Sequence, residues 1–364
     1  MSYLLSDDAK MLRDSAEKFF AGSDAIKQTR QWRNARDLDA AARGAWAGMV
    51  ELGLAGTLIP EEFGGVGLNL QASLQIAEVM GKSLAGGPFI SSAVMAATAI
   101  LGGNNEALKA ELLPAIAGGT VVALATGESA RHKPHAIEAT AQRDGAGYRI
   151  SGHKVAVIDG SIADRLIVVA RDGAEYLMLV TDVGAPGINV TSGLGIDSRP
   201  LTTVAFDDAP AQQIVCAPSE TLALLDRAYD AGRLHLAAEM LGGAQECFDR
   251  AVEYLKTRVQ FGRKIGEFQA LQHRAAILLG ELEIARSVVL KAAASPTPEY
   301  VSMAKARVGD IARKTVLEAI QMHGGIGVTD DFDLGFYLKR IRTAAELLGD
   351  SAFHAERYAQ IKGL

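Results

Sequence analysis

The stretch DRLIVVARDGAEYLMLVTD, Asp164 to Asp182, decides how the chain is divided. Two apolar, β-branched runs, LIVVA and YLMLV, flank an Asp-Gly, which is the strongest short-range signal for a hairpin. The same punctuation occurs upstream, where DGAG at 144–147 splits IEATAQRDGAGYRISGHKVAVIDG (137–160). With TVVALATGE (120–128) and LTTVAFDDAPAQQIVC (201–216), these runs predict a small antiparallel sandwich or barrel, with strand-rich sequence ending near residue 216. Outward from this block the hydrophobic period changes from two to 3.6 on both sides. On the N-terminal side, DAKMLRDSAEKFF (8–20), AAARGAWAGMVELGL (40–54) and LQASLQIAEVMGKSL (70–84) are spaced as helices. The Pro- and Gly-punctuated AGTLIPEEFGGVGLNL (55–70) separates two of them and offers Asn69 as a cap. On the C-terminal side four long helical stretches, roughly 219–257, 267–294, 298–323 and 331–362, predict an antiparallel bundle; 26 residues of helix span about 39 Å. The expected organisation is α+β: an N-terminal α-helical domain over 1–118, a β-domain over 119–218 and a C-terminal four-helix bundle over 219–364.

Composition narrows the function classes. Hydrophobic residues make up 49% of the 364 and charged residues 22%, which suits a chain that buries a sizeable core. The net charge of −6 comes from 37 basic and 43 acidic residues without a clustered basic excess, so nucleic acid is not an expected partner. Two cysteines, Cys216 and Cys247, give neither a disulfide framework nor a metal site and fit a reducing compartment. The first twenty residues lack the cationic and apolar regions of a signal peptide, and no run of about 18 uncharged apolar residues suggests a membrane span. The cytoplasm is the expected location.

Four stretches in order carry a resemblance: ELGLAGTLIPEEFGGVGLNL (51–70), IAEVMGKSLAGGPF (76–89), TRVQFGRKIGEFQALQHRAA (257–276) and IQMHGGIGVTDDFDLGFYLKRIRT (320–343). Together they resemble an acyl-CoA dehydrogenase over essentially the whole chain. The resemblance implies an FAD-dependent oxidoreductase that converts an acyl-CoA thioester to its 2,3-enoyl form, as in fatty acid β-oxidation. It also implies electron-transfer flavoprotein as acceptor and tetramers built as dimers of dimers. In the family the Arg of the turn after the first bundle helix reaches the pyrophosphate of an FAD held by the neighbouring subunit, where a guanidinium makes charge-assisted hydrogen bonds. Arg258 matches it, Phe261 matches an aromatic near the adenine end, and Ile265 and Phe268 match further contacts of that loop. Gln321, Gly324 and Gly325 match residues lining the same dinucleotide, and glycine lets backbone approach a phosphate closely. Asp230 and Arg233, three apart on one helix, match an acid and an Arg near the CoA nucleotide.

The departures from the family are as specific as the matches. Abstraction of the proton alpha to the thioester needs a carboxylate within hydrogen-bond reach. The Glu of the family's Tyr-Glu-Gly-Thr motif corresponds here to Leu348, with Gly349 and Asp350 following, and the alternative position of the base is Gly232. Glu346 is two positions away and about 200° around a helix; Asp350 reaches the site only if the turn is built differently. No catalytic residue is assigned. In TGESARHKPHAI (126–137) the chain keeps Thr126 of the family's flavin-covering loop and loses its Gly-Ser-Asp. HKVAVIDG (153–160) puts Ala156 and Ile158 where the family has the Trp and Thr of the strand beside the isoalloxazine. Residues that would serve a neighbour's FAD are kept, whereas those that would serve the chain's own are lost. That pattern resembles the accessory chain of heterotetrameric (α2β2) acyl-CoA dehydrogenases, notably those acting on steroid side chains in steroid degradation, which would pair this chain with a homologous subunit. The other readings are an active homotetramer with an unusual base, and a non-enzymatic acyl-CoA-binding or structural relative.

Overall fold

Eight strands between Val122 and Ile214 form one sheet in the computed structural model, which describes residues 6–22, 25–33 and 38–364. They are β1 (Val122–Ala125), β2 (Thr140–Asp144), β3 (Gly147–Ile158), β4 (Arg165–Asp172), β5 (Glu175–Asp182), β6 (Ile188–Leu194), β7 (Pro200–Ala211) and β8 (Gln213–Ile214). The order is β6-β7-β3-β2-β4-β5-β8, with β1 also on β4. Both Asp-Gly signals are two-residue hairpin turns: Asp144 pairs with Gly147 and Asp172 with Glu175, and Gly145 and Gly173 take φ of 58° and 59°.

The expectation of a purely antiparallel sheet needs correction. β1 runs parallel to β4 from Val122↔Arg165 to Ala125↔Val168, and β2 touches β4 in parallel at Thr140↔Arg171. The two strands lie in series along one edge of β4, and both run with it because the chain reverses once at the β2–β3 hairpin and again between β3 and β4. Strand β6 is an addition to the sequence reading, because INVTSGL has a short apolar alternation and none of residues 188–193 is buried.

Two compact units share the described residues, and each is taken by itself. One comprises the chain from after the second helix to Ser73 together with Gly86–Gly232. It holds the sheet, α3 (Leu38–Glu51), α5 (Ala97–Gly102) and α6 (Glu106–Ala117), and a π-helical stretch Phe89–Ala96 whose eight residues are all buried and pack on β1. Ser92 Oγ accepts from the Val122 amide at 3.0 Å, and Ser91 Oγ donates to Asp159 Oδ2 at 2.6 Å. Asn69 caps α4 (Leu70–Ser83) by accepting from the Ala72 amide at 3.0 Å.

The second unit comprises the residues up to Arg33, Leu74–Ala85 and Arg233–Leu364. It contains α1 (Asp7–Gly22), α2 (Ala25–Arg33), most of α4 and of α7 (Thr221–Thr257), a short hairpin β9 (Val259–Gln260) and β10 (Arg263–Lys264), α8 (Gln269–Ala294), α9 (Pro298–His323), α10 (Leu334–Glu346) and α11 (Ser351–Lys362). Helix α9 is central, packing on α8, α10 and α11. Helices α4 and α7 cross in van der Waals contact: a Cβ at Gly81 would lie 1.9 Å from the Glu239 carbonyl, and one at Gly242 1.8 Å from that of Glu78. The last of the four expected bundle stretches is two helices, because Leu348 and Gly349 adopt φ of 59° and 106°, which no helix accommodates. Hairpin β9–β10 is a further strand pair beyond the sheet, set in the stretch read as an interhelix turn. The helical domain expected from residue 1 includes 1–5, 23–24 and 34–37, which lie outside the described residues.

Candidate functional site

Helix α7 ends where Arg258 donates its amide to the Tyr254 carbonyl at 2.8 Å, and the Arg258 carbonyl then accepts from Ile265 at 2.9 Å to close the hairpin. Phe261 sits at the tip in the left-handed region, φ 55°, followed by Gly262 at 77°. An aromatic side chain there is uncommon and strained, and Phe261 is also 89% exposed. Phe268 meets its edge at 6.1 Å and carries the Arg263 guanidinium 4.2 Å above its ring. Ile265 and Phe268 are half-buried at the base. Arg258 is exposed and makes no side-chain hydrogen bond or ion pair with another described residue.

After α9 the chain turns at Gly324, whose φ and ψ of 66° and −143° are essentially restricted to glycine. A Cβ on Gly324 or Gly325 would meet nothing within 4 Å, and Gln321 is exposed. The two segments are joined by aromatic packing. Tyr254, one turn before Arg258, stacks on His323 at 4.5 Å, immediately before Gly324, and Phe332 closes the group at 5.0 Å from His323. His323 donates Nδ1–H to the Ala319 carbonyl at 2.7 Å, and burial lowers its pKa, so the ring is neutral. The structure thus brings Arg258, Phe261, Ile265 and Phe268 together on one hairpin and Gln321, Gly324 and Gly325 onto an adjoining turn.

The expected base position is built differently. Leu348 is half-exposed, and its carbonyl accepts from Arg233 Nε at 3.0 Å and His354 Nε2 at 3.2 Å. Lys305, on α9, donates Nζ to the carbonyls of Ala345 at 2.8 Å and Gly349 at 3.0 Å. Burial, with Arg233 nearby, pushes Lys305 down to about 7, and burial with Arg233, Lys305 and Arg357 holds His354 neutral, down to about 2. Asp350 is the N-cap of α11, accepting from the Phe353 amide at 2.7 Å. Glu346 is exposed. Arg233, matched above to a residue near the CoA nucleotide, is fully buried and donates Nε to the Leu348 carbonyl. Asp230 is half-exposed on the same helix within the other unit.

In the sheet unit, the loop after β1 is satisfied internally. Thr126 Oγ1 accepts from the Tyr229 hydroxyl at 2.6 Å, and the His132 ring stands edge-on to Tyr229 at 5.2 Å. Glu128 turns inward, accepting from the Glu138 amide at 2.6 Å, the Ala139 amide at 3.1 Å and Lys154 Nζ at 2.5 Å. Lys154 is wholly buried, and burial lowers its pKa despite Glu128; burial pushes the Glu128 carboxyl up, but Lys154 and the two amides carry it below its usual value. Ala156 sits exposed at φ 54° in a bulge of β3, and Ile158 is half-buried. Sequence reasoning missed Lys154, Glu128, Tyr229, Lys305 and His354. The available signal was phase: Lys305 falls in step with Val301, Val308 and Ala312 on the buried face of α9. Both cysteines are buried, and burial raises their pKa, so neither is a reactive thiolate. Among the described residues no group of metal ligands occurs and no helix is long and apolar enough to cross a membrane.

Residues 6–120 match the acyl-CoA dehydrogenase N-terminal domain and residues 222–361 the acyl-CoA dehydrogenase C-terminal domain. Acyl-CoA dehydrogenase IpdE2 of Mycolicibacterium smegmatis is 32% identical over 301 residues, covering 82% of this chain and 81% of its own length. The chain belongs to the acyl-CoA dehydrogenase family. Among solved structures, a variant of the Tcur3481-Tcur3483 steroid ACAD is similar with a TM-score of 0.88 and 27% identity over 98% of both chains. The ChsE4-ChsE5 complex of Mycobacterium tuberculosis shares the fold with a TM-score of 0.88 at 22% identity, over 100% of this chain and 99% of that one. The chain has the family's helical, sheet and helical architecture, and the family's members are FAD-dependent oxidoreductases.

Proposed function

We propose that this chain is an accessory subunit of a heteromeric, FAD-dependent acyl-CoA dehydrogenase, completing a partner's FAD site while holding neither a base nor a flavin of its own. The observation that carries the reading is the state of the base position: Leu348 stands there, its turn fixed by Arg233, His354 and Lys305, while Asp350 is engaged as a helix cap. FAD, when bound, accepts the hydride removed from the acyl chain. The residues that fit it are those of the hairpin and its adjoining turn. Arg258 offers an unpaired guanidinium to a pyrophosphate, Phe261, Ile265 and Phe268 offer apolar surface, and Gln321, Gly324 and Gly325 offer an amide and uncovered backbone. The loop at Thr126 lacks the family's Gly-Ser-Asp, and its Glu128 carboxylate is already bonded within the chain to Lys154.

The partner in this reading is a homologous subunit, electrons leave to electron-transfer flavoprotein, and the substrate is an acyl-CoA thioester. Likeness to a steroid ACAD supports a steroid side-chain thioester, and likeness to a two-component complex supports a heteromer. Asp230 remains the candidate contact to the CoA nucleotide, and the domain limits near residues 118 and 218 belong to the same reading. The test is acyl-CoA-dependent dye reduction by the isolated chain over a panel of thioesters including steroid ones. General acid–base catalysis contributes about 10² to 10⁴ in rate, so turnover at least a hundredfold below that of the assembly is expected. Robust turnover by the chain alone would favour an active homotetramer instead.

A further inference from the structure

The turn that carries Gly324 and Gly325 has little packing of its own, and what fixes it comes from the other end of the sequence. From Gly324 the chain runs through Ile326, Thr329 and Phe332 to Asp333, where α10 begins. Only Gly327 is tightly enclosed, its Cβ position being 2.7 Å from the Ile320 carbonyl. Helix α2 grips the far side. Arg33 makes a bidentate pair with Asp330, Nη1 to Oδ1 at 2.6 Å and Nη2 to Oδ2 at 2.9 Å. Arg30 donates Nη2 to the Asp330 carbonyl at 2.5 Å and to Asp333 Oδ1 at 2.6 Å. Both guanidinium groups lie over the Phe336 ring, at 5.0 and 5.3 Å. Arg250 adds a longer contact to Asp333 at 3.4 Å. Helix α2 is itself anchored, since buried Thr29 donates to the Leu84 carbonyl at 3.1 Å. The hydrogen bond from Arg33 holds the Asp330 carboxyl below its usual pKa, so the pair stays ionised throughout the neutral range.

We propose that Arg30 and Arg33 are positioning residues for the dinucleotide-facing turn, so that helix α2 sets how well Gln321, Gly324 and Gly325 meet the FAD of the partner. This rests on the reading that the turn faces a dinucleotide. The physical case is that a turn with a glycine-only backbone and open neighbours keeps one pose only if held on both sides. One side is the Tyr254–His323 stack, and the other is a planar two-bond fork joined to a carboxylate some 300 residues away in sequence. Surface ion pairs add little to global stability, so the effect belongs in the pose of the turn and not in the fold.

The test uses R33E, D330R and the double variant R33E/D330R in the full chain and in the assembly purified through it. Amide hydrogen exchange over residues 321–333 is read on the chain, and FAD affinity and melting temperature on the assembly. R33E and D330R are each expected to speed exchange in that segment and to weaken FAD about fivefold, the low end of coupling between sites. The double variant is expected to recover both to within about twofold, with melting temperatures close to wild type. Unchanged exchange in R33E, or a lowered melting temperature with FAD affinity unchanged, would overturn the proposal. Arg258→Ala separates the two readings: if it weakens FAD and R33E does not, only the clamp fails, and if it too is silent, the dinucleotide site is wrong.

Discussion

The β9–β10 hairpin and the loop after β1 are both polar, aromatic-bearing segments at the ends of regular elements, yet they are finished in opposite ways. The hairpin leaves Arg258 unpaired, Phe261 at 89% exposure in a strained conformation, and a neighbouring turn with two uncovered glycines. The loop turns two of its polar groups onto its own chain: Glu128 takes three donors, buried Lys154 of β3 among them, and the Thr126 hydroxyl is held by Tyr229. A strained, exposed aromatic marks a candidate contact surface, whereas polar groups buried and bonded within the chain serve its own stability. On the proposed function, the difference separates what this chain presents to another molecule from what it has closed to its own use.

Substitutions in the two regions therefore break different things. The largest effect is expected at the closed loop. Glu128→Ala leaves Lys154 buried without its counter-ion, which costs about 3 to 5 kcal/mol and is read as a lowered denaturation midpoint of the isolated chain. A loss below about 1 kcal/mol would mean that the latch is ornamental. Arg258→Ala is expected to do the reverse. It leaves chain stability within about 0.5 kcal/mol of wild type while weakening FAD in the assembly by about 1.5 to 3 kcal/mol, roughly tenfold to over a hundredfold, read by titration with fluorescence quenching. Equal stability losses at both sites would erase the distinction.

Lys305 sharpens the comparison with a smaller effect, because the closed turn at Leu348 stores a titratable cost. Its folded pKa of about 7 lies below the ordinary lysine value, so between these values the unfolded chain binds the extra proton. The cost is full below pH 7 and is relieved as pH rises toward the ordinary value. Relative to Lys305→Met, wild type should gain about 1 kcal/mol per pH unit from 7.5 to 8.5, measured as the difference between two denaturant series so that other groups cancel. Parallel curves would place Lys305 in solvent.

Much of this was legible in the sequence, for identifiable reasons. The Asp-Gly turns, the bundle helices and the Asn69 cap follow from local rules that tertiary contacts reinforce. The parallel placement of β1 beside β4 was not, because it pairs residues some forty apart in sequence and leaves no local signature. Arg258 and Phe261 stood out as residues out of place on a turn. The bond from Arg233 to the Leu348 carbonyl was not legible either, because it joins residues 115 apart in sequence. The Arg33–Asp330 fork escaped notice because its members are 297 residues apart.

The most direct measurement is flavin stoichiometry. The assembly is purified through this chain, its subunit masses and ratio are determined, and FAD is counted by absorbance after denaturation. The account predicts a second, homologous subunit in equal amount and one FAD for every two chains, with none retained by this chain alone. One FAD per chain, or a flavin-loaded homotetramer of this chain, would contradict it.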